Sequence, residues 1–493
     1  MKQLREASKT DLVYYALVTV AYGVMLYLVG RGILVQWLWF DESGQVFVAH
    51  GLHHTSAPLS PDGSLVDALR MNHDYNLDPG GYTVLLHFWC MVSSGSVWLR
   101  SLSLIFYLGS IVFACLVSWE ALRDKRLAYG AGLAVFAVIG GSFAYEVRAY
   151  SMELCGFLYG LWMVLRLRKP RRLSVVLLMS LLLCFFITSR YTMVVAGGIL
   201  SCFVLYDFVA QYLRKERSLK SLIIVSVVYA IPLLVTVAAI WWFQMRLQNP
   251  GATAVGYVIY VEPGKRTYVI AAAMLFLLAT LKWQTPAVRV VSLVFVALNL
   301  VVGTLGFLNM LPWMNSNNKG ALFMVVFNLA IYIGGAALLQ RAGVKRAIIP
   351  FLLLGYWCAE MTWISTTYRV GNVVRDKSLA PVISPVENIL SNSDNLVIIG
   401  TWAGPDLRYL YEYGALRVKA KEHGYPVRFR FLRGDIHRRG IKAKESHRSE
   451  NIELLESVPS GTYYYATLPG DIPGFDPVPA CYEKVAPATY RKK

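Results

Sequence analysis

The residues best suited to chemistry in this chain stand at the ends of apolar runs. Trp37-Leu38-Trp39-Phe40 leads directly into Asp41 and Glu42. Asp74, Asp78 and His87 follow, then Tyr145-Glu146-Val147-Arg148-Ala149-Tyr150, then Arg190-Tyr191. Trp and Phe at such a boundary are ordinary interface anchors. Carboxylates set against them are less ordinary, because charge near hydrocarbon is costly and tends to be kept for function. A guanidinium takes phosphate oxygens two at a time. A carboxylate can accept the proton of an attacking hydroxyl. Acids, Arg and Tyr in this arrangement suit a ligand with a phosphate group and a hydroxyl-rich part. The simpler alternative for Asp41 and Glu42 is a pair of solvated acids at the polar end of a helix.

The elements that must position these residues are membrane helices. Of 493 residues, 56% are hydrophobic and 16% charged, against about 25% charged in soluble domains. The apolar runs are helical in length rather than barrel-like. They predict an α-helical polytopic membrane protein with about eleven spans, on a ~20-residue criterion. These lie near 12–31, 99–120, 127–143, 150–167, 173–188, 191–213, 221–243, 267–281, 287–310, 320–340 and 347–366. The first run is too long for a signal peptide and lacks a small-residue cleavage site, so it is expected to stay as a span. Every second link is basic: Lys2 to Lys9, Arg123 to Arg126, Arg166 to Arg172, Arg214 to Lys220, Lys282 to Arg289, and Arg341 to Arg346. Basic links mark the cytoplasmic side. The N-terminus is thus expected inside, and all the residues named above outside. The net charge of +18 is partly accounted for by these links and does not argue for nucleic acid.

The first outside loop is long, and a loop of that size is usually functional or holds helices of its own. Gly81 to Val92 is too short to span and is expected to be an amphipathic helix on the outer surface, begun by Asp78-Pro79-Gly80. His87 on it is expected to face lipid headgroups. Glu146 and Tyr150, four apart, would share a helix face, whereas Glu146 and Arg148 would not. His50, His53 and His54 match no defined metal spacing. Most of the seven Cys lie within apolar spans, where a thiol is a small hydrophobe, and no disulfide framework is expected. Residues 1–366 are expected to form the membrane domain and 367–493 a small extracytoplasmic α/β domain. In the latter, 395–401 reads as a buried strand and 405–413 as a helix. Residues 417–448 are strongly basic, either a solvated loop or a contact for anionic headgroups or an acidic glycan.

Four short stretches, in order and spacing, resemble the polytopic GT-C glycosyltransferases. They are Phe40-Asp41-Glu42, Asp78 to Trp89, Trp98-Leu99-Arg100-Ser101-Leu102-Ser103 and Tyr145 to Ser151. The nearest group is the bacterial one related to protein mannosyltransferases, aminoarabinose–lipid A transferase and rhizobial lipopolysaccharide-core transferases. The resemblance covers roughly residues 10–200. It departs from the family at Asp78-Pro79-Gly80, where His-Pro-Pro is usual, and at Asn317-Asn318-Lys319-Gly320, where an Arg-Tyr pair is frequent. It implies inverting transfer of a sugar from a polyprenyl-phosphate donor to a hydroxyl acceptor on a glycan, lipid or protein. Transfer would take place at the outer face of the bacterial plasma membrane, in cell-envelope glycan biosynthesis. By that resemblance Asp41 is the general base, and Arg148 stabilises the leaving phosphate, with Arg190 and Lys319 as further candidates. Glu42 and Glu146 could bind sugar hydroxyls or a divalent cation, and Asp78, His87, Tyr150 and Tyr191 complete the substrate-binding set.

Two other classes fit parts of the pattern: a transporter or flippase for a lipid-linked saccharide, and a membrane-anchored assembly protein whose tail does the work. The first predicts ionisable or Gly/Pro-broken features at mid-span, and often two similar halves. Pro232 is the one Pro well inside a span, and no internal repeat is visible.

Overall fold

The computed structural model describes residues 9–34, 38, 40–51, 63–76, 78–93, 95–136, 144–247, 265–307 and 321–368. In the tail it describes 397–399, 429–431, 453, 455–465, 479–486 and 489–493. Helices dominate the described residues: α1 (Lys9–Ile33), α2 (Phe40–Ala49), α3 (Leu65–Tyr75), α4 (Gly81–Val92), α5 (Ser96–Leu122), α6 (Lys125–Ala131), α7 (Tyr150–Leu167), α8 (Leu173–Ile187), α9 (Tyr191–Leu213), α10 (Leu219–Ile240), α11 (Lys265–Ala279), α12 (Pro286–Phe307), α13 (Ala321–Arg341) and α14 (Ile349–Tyr368). Four are long and apolar enough to cross a membrane: Lys9–Ile33, Ser96–Leu122, Tyr191–Leu213 and Leu219–Met245. Shorter apolar helices accompany them. Among the described residues, the segment expected over 127–143 is helical as α6 and a 3-10 turn at Gly132–Val135, and 137–143 lie outside the described residues.

α7 is the centre of the bundle. Nearly all of its residues are buried, the signature of a helix apolar on every side. α5, α8, α9 and α13 pack around it. By contrast α8 and α10 leave Leu177, Leu178, Leu181, Ile223, Ile231 and Leu234 exposed, an apolar outer surface suited to hydrocarbon.

Helix contacts sort the links into two ends. At one end, Arg100 of α5 reaches the carbonyl of Ile33, Gly81 pairs with Thr188, and Asn72 with Gln244. At the other, Arg126 meets Asp11 and the Arg346 carbonyl, and Arg166 meets Glu120. The links with the candidate acids and arginines gather at the first end, and the strongly basic links at the second.

α2, α3 and α4 form a layer at the first end. A Ser64–Asp67 capping box starts α3. α4, at 12 residues, is ~18 Å long and far too short for a ~30 Å hydrocarbon core. Its inner face carries Tyr82, Leu86 and Cys90, while Phe88, Met91 and Val92 are exposed. The tail holds a small mixed sheet of five short strands: β1 (Val397–Ile399), β2 (Phe429–Phe431), β3 (Tyr463–Tyr465), β4 (Tyr482–Ala486) and β5 (Thr489–Lys492), in the order β2-β1-β3-β5-β4. β1 runs parallel to β2 and β3, and the remaining pairs are antiparallel. β1 is the strand expected at 395–401. The helix expected over 405–413 and most of the basic stretch 417–448 lie outside the described residues.

Candidate functional site

The first turn of α2 brings Asp41 and Glu42 to the end of the bundle where α1 stops. Glu42 is 2% exposed and Arg100 3%. A buried carboxylate is tolerated only when paired and hydrogen-bonded, and this one meets the planar fork of an arginine. Arg100 Nε donates to Glu42 Oε1 at 3.1 Å and Nη2 to Oε2 at 3.0 Å. The Val147 amide donates to the same Oε1 at 3.1 Å, and Arg100 Nη1 to the Ile33 carbonyl at 3.3 Å. One ion pair therefore joins the end of α1, α2, α5 and the 144–149 link. Both Glu42 oxygens accept from protein donors, which gives the residue a positional role at this end of the bundle. Asp41 is the next residue along the chain, and Val147 adjoins Arg148. The Asp41 side chain lies outside the described residues, as does Lys319.

A second polar network shapes the loop before α4. Asn72 is fully buried and uses both ends of its amide. Nδ2 donates to the Asp78 carbonyl at 3.0 Å and to Gln244 Oε1 at 3.2 Å. Oδ1 accepts from Thr83 at 2.7 Å and Asn76 at 3.1 Å. Gln45 of α2 donates to Thr83 at 2.9 Å. The Asp78 carboxylate accepts the Gly80 amide at 3.0 Å, a local turn typical of Asp. Gly80, at φ +84, occupies the left-handed region that glycine enters without strain. Gly81 donates to the Thr188 carbonyl at 2.9 Å, and any Cβ there would overlap the Thr188 side chain. The 78–81 turn is thereby pressed against the α8–α9 link. Burial pushes the Asp78 carboxyl above the usual carboxylate range, while Arg148 and Arg190 pull it the other way.

The third part is built on Tyr150 at the start of α7. The Arg190 guanidinium lies 4.7 Å from the centre of its ring and that of Arg148 5.9 Å, both within cation–π range. Arg190 also pairs with Glu153 of α7 at 3.0 Å, and Thr192 donates to the other oxygen of Glu153. Burial alone would make Arg190 less basic, but Glu153 and Tyr150 outweigh it, so its charge is secure. Glu153, in the first turn of α7, is also favourably placed at a helix N-terminus.

Asp78, Arg148, Tyr150 and Arg190 are thus brought together from three separate links, with the buried Tyr191 directly after Arg190. Two guanidiniums on one aromatic ring can hold a phosphate, and the carboxylate beside them can accept a hydrogen bond from a hydroxyl. The chain matches no protein-family model and no curated protein sequence. Glu146 lies 5% exposed in the link, and its carbonyl accepts from Ser103 at 2.5 Å. It shares no helix face with Tyr150, because α7 begins only at Tyr150. His87 does not face headgroups. It lies on the inner side of α4, 7% exposed, with Nδ1 2.7 Å from the Ala49 carbonyl. A carbonyl can only accept, so Nδ1 carries the proton. Among the described residues no three His, Cys, Asp or Glu side chains come together as a metal site.

Arg100, Asn72 and Glu153 hold this end together and were not picked out from the sequence as site residues. Arg100 and Glu153 had a signal, since each is a charge within an apolar helix. Asn72 had none, being one polar residue on a polar helix.

Proposed function

We propose that the chain is an inverting glycosyltransferase that moves a sugar from a polyprenyl-phosphate donor to a hydroxyl acceptor at the outer face of the membrane. The observation that carries the proposal is the convergence of Arg148 and Arg190 on Tyr150 beside Asp78, at the end of the bundle where Glu42, next to Asp41, accepts the amide of Val147, next to Arg148. In this account the donor's phosphate lies against Arg148 and Arg190, and its prenyl chain stays in the bilayer. Asp41 removes the proton of the acceptor hydroxyl, whose oxygen attacks the anomeric carbon as the C–O bond to phosphate breaks. The polyprenyl phosphate leaves without an acid catalyst, because its conjugate acid is already strong and positive charge meets the developing anion. A single displacement inverts the anomeric centre. In this reading the chain has eleven spans, an inside N-terminus and an extracytoplasmic tail, and α4 lies at the outer headgroup level. Its apolar exposed side and short length support that placement.

The test uses full-length protein in liposomes, offered a panel of labelled polyprenyl-monophosphate sugars with membrane extract as acceptor source. Labelled sugar should pass to acceptor with stoichiometric release of polyprenyl phosphate. Arg148→Gln should lower kcat by about 10²-fold, the usual effect of losing one donor to a developing anion. Full-rate transfer by that variant, or no release from any donor, would overturn the assignment.

A further inference from the structure

The opposite end of the α7–α10 group has no part in the proposed reaction, yet it is built with care. Arg166–Arg172 contributes five basic residues in seven positions, and Arg214–Lys220 contributes four against one acid, Glu216. The structure ties these two links to each other. Gln211 donates to the Leu167 carbonyl at 2.6 Å, and Arg217 bridges from Gln211 Oε1 at 2.5 Å to the Arg171 carbonyl at 3.3 Å. Arg166 pairs with Glu120, Arg168 with Asp207 at 3.8 Å, and Arg214 with Glu216. Among the described residues no carboxylate lies within ion-pair distance of Lys169, Arg172, Lys215 or Lys220, and all four are exposed. Scattered positive charge would suffice to orient a membrane protein. Holding two basic links together, against their mutual repulsion, goes beyond that need.

We propose that these joined links bind the headgroup of an anionic phospholipid, with its acyl chains lying along α8 and α10. The occupant follows from what adjoins the charge. Directly beyond the links, Leu173, Leu177 and Leu178 of α8 and Leu219 and Ile223 of α10 are exposed. A ligand covering both surfaces needs a negative head and an apolar body, which a free phosphate or a soluble acidic protein lacks. Basic pockets between membrane helices commonly take such headgroups. Burial also lowers the basicity of the bridging Arg217, and Glu216 offsets this only in part.

Full-length protein in neutral detergent would be titrated with phosphatidylglycerol and with phosphatidylcholine of the same chains. Retained lipid is read by native mass spectrometry and stabilisation by thermal unfolding. Phosphatidylglycerol should be retained and should raise Tm, while phosphatidylcholine and soluble glycerol phosphate should do neither. In the series Lys169→Gln, Arg172→Gln, Lys215→Gln and Lys220→Gln, each change should weaken retention by about fivefold. Changing Arg341, Lys345 and Arg346 to Gln should leave it unaltered. Equal retention of both lipids by the unaltered protein would overturn the proposal whether or not the variants fold. So would a full Tm rise with glycerol phosphate, or an equal loss in the control variant.

Discussion

The two ends of the bundle use charge in opposite ways. At the end carrying the 78–81, 144–149 and 188–190 links, acids and arginines are matched and buried. Glu42 and Arg100 are at most 3% exposed, and Glu153 and Arg190 at most 11%. At the other end basic residues outnumber acids, and the arginines of the pairs are more open to solvent: Arg126 is 20% exposed, Arg168 28%, Arg166 36% and Arg123 55%. Burial makes the first kind of pair dependent on its partner, because a lone buried charge has no water to fall back on. An exposed arginine of the second kind is more readily replaced by water, so its loss costs less. The first end is therefore built to fix backbone positions, and the second to offer charge outward.

The sharpest way to break this contrast is Arg100→Met, which strands Glu42. Unfolding in detergent should show a loss of about 3–5 kcal/mol, and adding Glu42→Met should recover most of it. A loss as small as that at an exposed pair would mean that Glu42 is not held as described. Gly81→Ala should cost about 1–3 kcal/mol, since the new methyl must displace Thr188. Asp78→Asn reports on the acid that feels both Arg148 and Arg190. Its raised carboxyl favours the protonated state in the folded protein, so its stabilising contribution is present below pH ~4 and is lost as pH rises through the raised value. The Tm of Asp78→Asn relative to the parent should therefore climb from acid to neutral pH, and a flat difference would contradict the burial of Asp78. Smallest of all, Arg123→Ala should change stability by no more than about 1 kcal/mol, because Arg166 still pairs with Glu120.

Hydropathy made the helices legible. α7 and α9 fall at 150–167 and 191–213, as expected, because Arg or Tyr bounds each apolar run sharply. The segment at 127–143 was less legible. Gly130 and Gly132 leave room for the Tyr14 and Tyr22 hydroxyls, and α6 passes into a 3-10 turn there, which an apolar run does not announce. The link before α7 misled for a related reason. Helical spacing from Glu146 to Tyr150 is visible locally, but the Val147 amide is claimed by Glu42, 105 residues away. Long-range partners of that kind also hid the roles of Arg100 and Asn72. Which charges lay at helix ends could be read from the chain, but which of them answered one another could not.

The central claim is that Asp41, carried on the helix that Glu42 locks to Val147, takes the proton of the acceptor hydroxyl. Its most direct test is the initial rate of sugar transfer from labelled polyprenyl-phosphate sugar by Asp41→Asn, in membranes matched for protein amount and folding. The account predicts a fall of about 10²–10⁴-fold with donor binding retained. Transfer at close to the parent rate would contradict it.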